Sequence, residues 1–558
     1  MKLSRIYICS ILAAIVAGCA PQTSTTTNII DPHAQVQAEN NIFLFQKTFD
    51  PWVLTSTDPN HKIPVYLGSG VTGSLYDSSG NATQTYEGGN YDRNGVIVSH
   101  QTAGAVAGSS GSYSQTLDLM HGTLTTSYDG SSHTASALGD WPTFWKKSDI
   151  VVVGDPEAQQ ATHAELFDLC SSVEPGTDHS VPPMGLSSNV YDGHIFWDAE
   201  IWMLPALLPQ HPDLARSIVD YRFNRLKPAE KLAAVHGFKG AEYPWESAAT
   251  GLEEAPQQFS HERHITADVA YAAWQYYLWT GDRSYLSSEG WPVLCATAQY
   301  WASRAKLGSD GKYHVANVIG PDETAGQVTD DAWTNGVVRY NLLAAERAAT
   351  ITGHHADPKW SVIAEKIEIP FDSSASLYLQ YPAMDRSFHQ AKQADTQMLI
   401  YPLNLPMSST AALNTLDYCL NHTIQFGPAM TSSIDAVIAA RLGRSAQSLD
   451  LYRNSYRPFM RGPWDAFSEK RTMSDVYFTT GIGGTLQSVL YGFAGIDVQN
   501  ADRVSLGRKI AQNGDATLYC NPHLPPGWTE LTVKGIHFRG AVYSIDIKPG
   551  GAPVITKG

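Results

Sequence analysis

Three carboxylates set among aromatic rings and turns are the residues of this chain best suited to chemistry. One stands in Gly193-His194-Ile195-Phe196-Trp197-Asp198-Ala199-Glu200 and a second in Ile319-Gly320-Pro321-Asp322-Glu323-Thr324. Glu469 follows in Phe467-Ser468-Glu469-Lys470-Arg471. An acid beside bulky rings or a Gly-Pro turn has surroundings that bind a sugar face and favour the protonated carboxyl. Such a group protonates a glycosidic oxygen while a second carboxylate activates water. The expected chemistry is cleavage of a carbohydrate.

The rest of the composition narrows the alternatives. The chain has 558 residues, enough for a large core with two or three domains. Charged residues make up 16% and the net charge is −16, without a basic run, which argues against a nucleic-acid partner. His261-Glu262-Arg263-His264 spaces its histidines three apart and so is not the zinc-protease pair. Neither a nucleotide-binding Gly-rich loop nor a clustered Cys/His ligand set is present, so no metal and no cofactor is expected.

The elements that must carry these acids are read from texture. Residues 1–18 have a positive start at Lys2 and Arg5, then an apolar stretch too short to span a bilayer, ending in Val16-Ala17-Gly18-Cys19. Small residues before a cysteine resemble a bacterial lipobox, which implies cleavage and lipidation at Cys19. The expected location is the cell envelope, at the outer membrane or periplasmic face; an ordinary secretory signal is the alternative. Residues 19–40, rich in Thr, Gln and Asn, suit a flexible tether. Cys170, Cys295, Cys419 and Cys520 are widely spaced and specify no pairing.

Residues 41–150 carry Gly, Ser and Asp turn signals between β-prone runs, the pattern of an antiparallel sandwich. Over 151–500 apolar residues recur at helical spacing, as in Ile265-Thr266-Ala267-Asp268-Val269-Ala270, with glycine breaks and no parallel-strand signal. Residues 501–558 return to strand texture. The fold class expected is mainly α: an (α/α)6 toroid between a short N-terminal β-sandwich and a small C-terminal β-domain.

At these blocks the chain resembles glycoside hydrolase family 65. The resemblance runs through Pro183-Met184-Gly185-Leu186-Ser187, Gly193 to Asp198, Gly240-Ala241-Glu242-Tyr243-Pro244-Trp245-Glu246, Gly320-Pro321-Asp322-Glu323, Lys392-Gln393-Ala394-Asp395 and Gly481-Ile482-Gly483-Gly484. It implies an (α/α)6 barrel, Glu323 as general acid, and Trp197-Asp198 as a glucose-holding pair. Trp245, Glu246, Lys392 and Gln393 match positions lining the same pocket. Asp322 would orient the loop or repel Glu323 into its protonated form.

Glu469 separates two branches. Phosphate is already an anionic nucleophile, whereas a hydrolase needs a base for water. Glu469 lies shortly before the Thr479 to Gly484 block, where the resemblance places a hydrolytic base, and Gly427-Pro428-Ala429-Met430-Thr431 also resembles that branch. Ser432 and Ser433, hydroxyls able to serve a phosphate, stand on the other side, and Asp465 is a rival base. The expectation is inverting hydrolysis of an α-glucosidic bond in a small sugar, such as kojibiose, glucosyl-galactose or trehalose. A disaccharide phosphorylase and a non-catalytic sugar-binding lipoprotein are the alternatives. The N-terminal β-region is shorter than is usual in the family, which leaves the acceptor sugar and any oligomer open.

Overall fold

The computed structural model describes residues 49–91, 111–256, 259–387, 390–473, 476–501 and 507–558. Cys19, the tether and the start of the expected sandwich lie outside the described residues. Residues from Thr48 onward form one compact unit. It is mainly helical, with sheets gathered in its N- and C-terminal regions.

The N-terminal region holds two antiparallel sheets. One runs Val53–Ser56, Tyr113–Asp118, Thr123–Tyr128, Ser131–Ser136 in spatial order; the other runs Val65–Gly68, Thr72–Tyr76, Ala82–Glu87. Burial alternates along Tyr113–Asp118 and Thr123–Tyr128, as period-two strands with one face on the core require. The apolar run Ile150–Val153 joins neither sheet. It pairs antiparallel with Glu530–Phe538, so the end of the N-terminal region becomes an edge of the C-terminal sheet.

Two kinds of helix make up the middle. Ile265–Thr280, Ser432–Arg441 and Thr479–Gln487 are buried on nearly every side. Other helices of the region have a single buried face. Leu226–Val235 buries Leu226, Ala229 and Ala233, and Ser445–Tyr456 buries Leu449, Tyr452 and Tyr456. Ala332–Thr352 is N-capped by Asp331, whose carboxylate accepts the Thr334 N–H at 2.8 Å, and it ends at Gly353 in the left-handed region. Among the described residues, no helix is long and apolar enough to cross a membrane.

The Gly481 to Gly484 run has a packing cause. A Cβ on Gly483 would stand 2.5 Å from the Trp202 carbonyl, so only glycine lets these backbones approach. The facing turn, Ala199–Met203, is π-helical. Gln487 Nε2 donates to the Ile201 and Trp202 carbonyls there, at 3.0 and 2.7 Å. The segment that leaves Trp197-Asp198 is thus locked to the helix that follows Glu469.

Candidate active site

The expected site residues arrive from loops that lead into the buried helices, not from the helices themselves. Glu323 opens a single 3-10 turn, Glu323–Ala325, capped by Asp322. Asp322 is fully buried, and its Oδ1 accepts the Lys392 backbone N–H at 2.7 Å. Its own N–H donates to Asp395 Oδ2 at 3.3 Å. Of the two roles expected for Asp322, orienting the loop is the one these bonds perform. Lys392 completes the link: its Nζ donates to Glu323 Oε1 at 2.7 Å. Burial works against the Lys392 ammonium, but Glu323, Glu262 and Glu469 together raise its pKa.

Glu469 follows the short hairpin of Met460–Arg461 and Ala466–Phe467. It is 5% exposed. The Tyr191 hydroxyl donates to its Oε2 at 2.9 Å, and Lys470 Nζ lies 3.4 Å from its Oε1. Its carbonyl accepts the Ala429 N–H at 2.9 Å, which ties the base segment to the Gly427 to Thr431 block. Tyr191 and Asp192 have φ of +63° and +52°, a conformation that bulky residues adopt only when their surroundings impose it. Burial, and then the charges of Glu469, Asp198 and Glu323, raise the Tyr191 pKa, so the phenol stays a proton donor. Glu323 and Glu469 thus act on the same two side chains, Tyr191 and Lys392.

Asp198 receives the Thr480 hydroxyl at 2.7 Å. Burial pushes its carboxyl up to about 7; the Thr480 bond opposes the shift, and Glu469 and Glu200 add to it. Glu200, from the same island, is spent on structure: Arg222 Nε and Nη2 hold its two oxygens at 2.7 and 3.0 Å in the core. Glu246 Oε1 and His194 Nδ1 are 2.7 Å apart. The Trp245 and Glu246 N–H groups donate to the Glu253 carboxylate at 2.9 and 3.1 Å, fixing this pair's backbone. Gln393 is buried beside Lys392.

Three expectations change in detail. Trp197, expected to lay its indole on a sugar, is 1% exposed. Trp202, Trp245, His264 and Trp333 enclose it, with ring centroids 4.9–6.3 Å away, so it buttresses the wall. Asp465, the rival base, is buried near Glu165 and Asp168 on the helix Pro156–Cys170, whose pKa values are raised by burial first and by the Asp465 charge next. Ser432 Oγ accepts the Asn454 side-chain amide at 2.8 Å, while Ser433 Oγ packs against Gly484.

Sequence reasoning missed four residues. Tyr191 and Thr480 hold Glu469 and Asp198, and their only signal was proximity to the Gly193 and Gly481 blocks. Glu262 and His264, from the His261-Glu262-Arg263-His264 run, are buried, and Glu262 feels the charge of Glu323. His264 Nδ1 is 2.6 Å from Asp268, and the imidazole pKa rises to about 10 because Asp268 and Glu262 outweigh its burial. Glu262 is pushed up to about 8 by burial and by Glu323, against the pull of His264 and Lys392.

The family model described as "Glycosyl hydrolase family 65 central catalytic domain" matches residues 163–390, and that of the family 65 C-terminal domain matches 514–557. A kojibiose hydrolase of Flavobacterium johnsoniae is 40% identical over 403 residues, covering 72% of this chain and 57% of the relative. A protein-glucosylgalactosylhydroxylysine glucosidase of Dictyostelium discoideum is 33% identical over 421 residues, covering 74% and 56%. The chain therefore spans little more than half the length of these relatives. A solved structure described as a kojibiose phosphorylase from the human microbiome superposes with a TM-score of 0.72 at 15% identity. It covers 92% of this chain and 96% of that one, a likeness of fold.

Proposed function

Because the chain belongs to glycoside hydrolase family 65, we propose that it hydrolyses α-glucosidic bonds in small glucosides with inversion. The observation that carries this reading is the convergence of two differently held carboxylates on one site. Lys392 occupies Glu323 Oε1, which leaves Oε2 to protonate the glycosidic oxygen. Tyr191 occupies Glu469 Oε2, which leaves Oε1, on the Lys470 side, to take a proton from water. Water attacks the anomeric carbon from the face opposite the departing sugar, the C–O bond to that sugar breaks, and β-glucose is released. Asp198 accepts hydroxyls of the bound glucose, and Trp245 and Glu246 border the ring.

Hydrolysis is favoured over phosphorolysis because Glu469 supplies a buried carboxylate for the base role and a kojibiose hydrolase is 40% identical. The α-1,2 linkage is the first to test, since a kojibiose hydrolase and a glucosylgalactosyl glucosidase are among the relatives. The alternation of fully buried and single-faced helices supports an (α/α)6 toroid whose inner layer carries the loops of the site. Export and lipidation at Cys19 complete the proposal and rest on residues 2–19 alone; a Cys19→Ser chain should be released from membranes.

The test is a panel of α-linked glucose disaccharides with and without phosphate. Free β-glucose, seen by NMR before mutarotation and independent of phosphate, is the expected product. Glucose 1-phosphate formed only with phosphate would replace hydrolysis by phosphorolysis.

A further inference from the structure

The segment between Thr423 and Thr431 is strung between the acid and the base. Thr423 bridges Ala391, and the Ile424 N–H donates to the Ala391 carbonyl at 2.9 Å, next to the lysine that holds Glu323. Further on, the Ala394 N–H donates to Thr431 Oγ1 at 3.0 Å, and the Ala429 N–H donates to the Glu469 carbonyl at 2.9 Å. Gly427 lies so close to this wall that a Cβ there would meet the Lys392 carbonyl at 2.2 Å. At the centre of this pinned stretch, Phe426 is 61% exposed and Ile424 37%.

Isolated exposed apolar residues are common on protein surfaces. Phe426 differs in its anchoring. A mobile loop would let the ring fold onto the protein, whereas this backbone is fixed on both sides and tight against Lys392. The acid defines the direction of departure: Glu323 protonates the oxygen shared by the two sugars, so the leaving sugar lies on the Glu323–Lys392 side. The two neighbours of Phe426 within this segment, Ile424 and Gly427, lie against Ala391 and Lys392 on that side.

Resting on the hydrolase reading above, we propose that Phe426 is the platform for the leaving group and selects for a pyranose there. The axial C–H bonds of a hexopyranose form an apolar face that packs on a phenyl ring, with Ile424 beside it. A leaving group without such a face gains nothing from the contact. Phe426 therefore contributes to acceptor-side specificity and not to the bond-breaking step.

The test compares Phe426→Ala, Phe426→Leu and Phe426→Trp on kojibiose and on α-glucosyl fluoride, whose leaving group has no ring. Phe426→Ala should lower kcat/KM on the disaccharide about 3- to 10-fold, mainly through KM, and leave the fluoride within about twofold. Phe426→Leu should fall between, and Phe426→Trp should stay near wild type. Equal losses on both substrates, or an unchanged disaccharide constant, would overturn the proposal. A wild-type enzyme inert towards both would overturn the hydrolase reading and this one with it, a pattern distinct from either.

Discussion

The proposed acid, Glu323, and the proposed base, Glu469, are held in different ways. Glu323 sits on one short turn, its side chain 24% exposed, and is held by a charge, the Lys392 ammonium. Glu469 is nearly enclosed: the Tyr191 phenol holds one oxygen, the adjacent Lys470 ammonium stands 3.4 Å from the other, and its backbone is tied to a second loop. An ion pair at a partly open position is sensitive to its partner's charge, whereas a carboxylate fixed by a buried hydroxyl depends on packing and hydrogen-bond geometry. The acid half is thus an electrostatic assembly that one substitution dismantles. The base half is a steric assembly drawn from the 191, 429 and 469 segments.

The largest effect should come from removing the acids themselves, and it should be asymmetric. Glu323→Gln should cut turnover on an unactivated disaccharide by about 10²–10⁴-fold, because the leaving alkoxide loses its proton donor. Fluoride leaves without protonation, so α-glucosyl fluoride should restore most of that loss. Glu469→Gln should be as damaging on the disaccharide and gain nothing from the fluoride, since water still needs a base. Paired kcat measurements on the two substrates decide it; equal recovery by both variants would dissolve the division of roles.

Next in size are the two holding residues. Lys392→Met removes the hydrogen bond that positions Oε1 of the proposed acid and should lower kcat about 10- to 100-fold on the disaccharide, with a smaller loss on the fluoride. Tyr191→Phe removes the bond to the proposed base and should lower kcat about 10- to 100-fold on both substrates alike, the cost of one hydrogen bond to a charged group. A Tyr191→Phe enzyme rescued by the fluoride would place the phenol on the acid's side.

That contrast also explains what was legible in the sequence. The acid half is local: Gly320-Pro321-Asp322-Glu323 and Lys392-Gln393 carry their chemistry in adjacent letters, and the structure joins them by the Lys392–Glu323 ion pair and the Lys392 N–H bond to Asp322. Glu469 was recognisable only by its distance from the Gly481 block. Its partner Tyr191 lies 278 positions away, in a left-handed turn whose strain is invisible to residue type. Trp197 looked open because indoles beside acids often face sugars, yet three-dimensional crowding by four rings turned it into a support. In the fold, the helical middle followed from its period. The pairing of Ile150–Val153 with Glu530–Phe538 did not, because strand partnership across the whole chain leaves no local trace.

The smallest effect concerns the scaffold beneath both halves. Asp435, in the first turn of Ser432–Arg441, is buried with one side-chain partner, Gln397 Nε2 at 3.3 Å. Burial pushes its carboxyl from 3.8 up to about 7, against the pull of that bond. Between these values the native state holds a proton that the unfolded chain has released. Stability therefore falls as pH rises through this window and stays lower above it. Asp435→Asn keeps the neutral shape and cannot ionise, so its stability relative to wild type should rise between pH 5 and pH 8 by roughly 1–3 kcal/mol. Asp198 and Glu262, also raised by burial, tilt both proteins in the same direction, so the difference between them isolates Asp435. Denaturant unfolding of both proteins at the two pH values measures it. A gap that closes with rising pH would mean that Asp435 is ionised in the native core and held there by a partner stronger than Gln397.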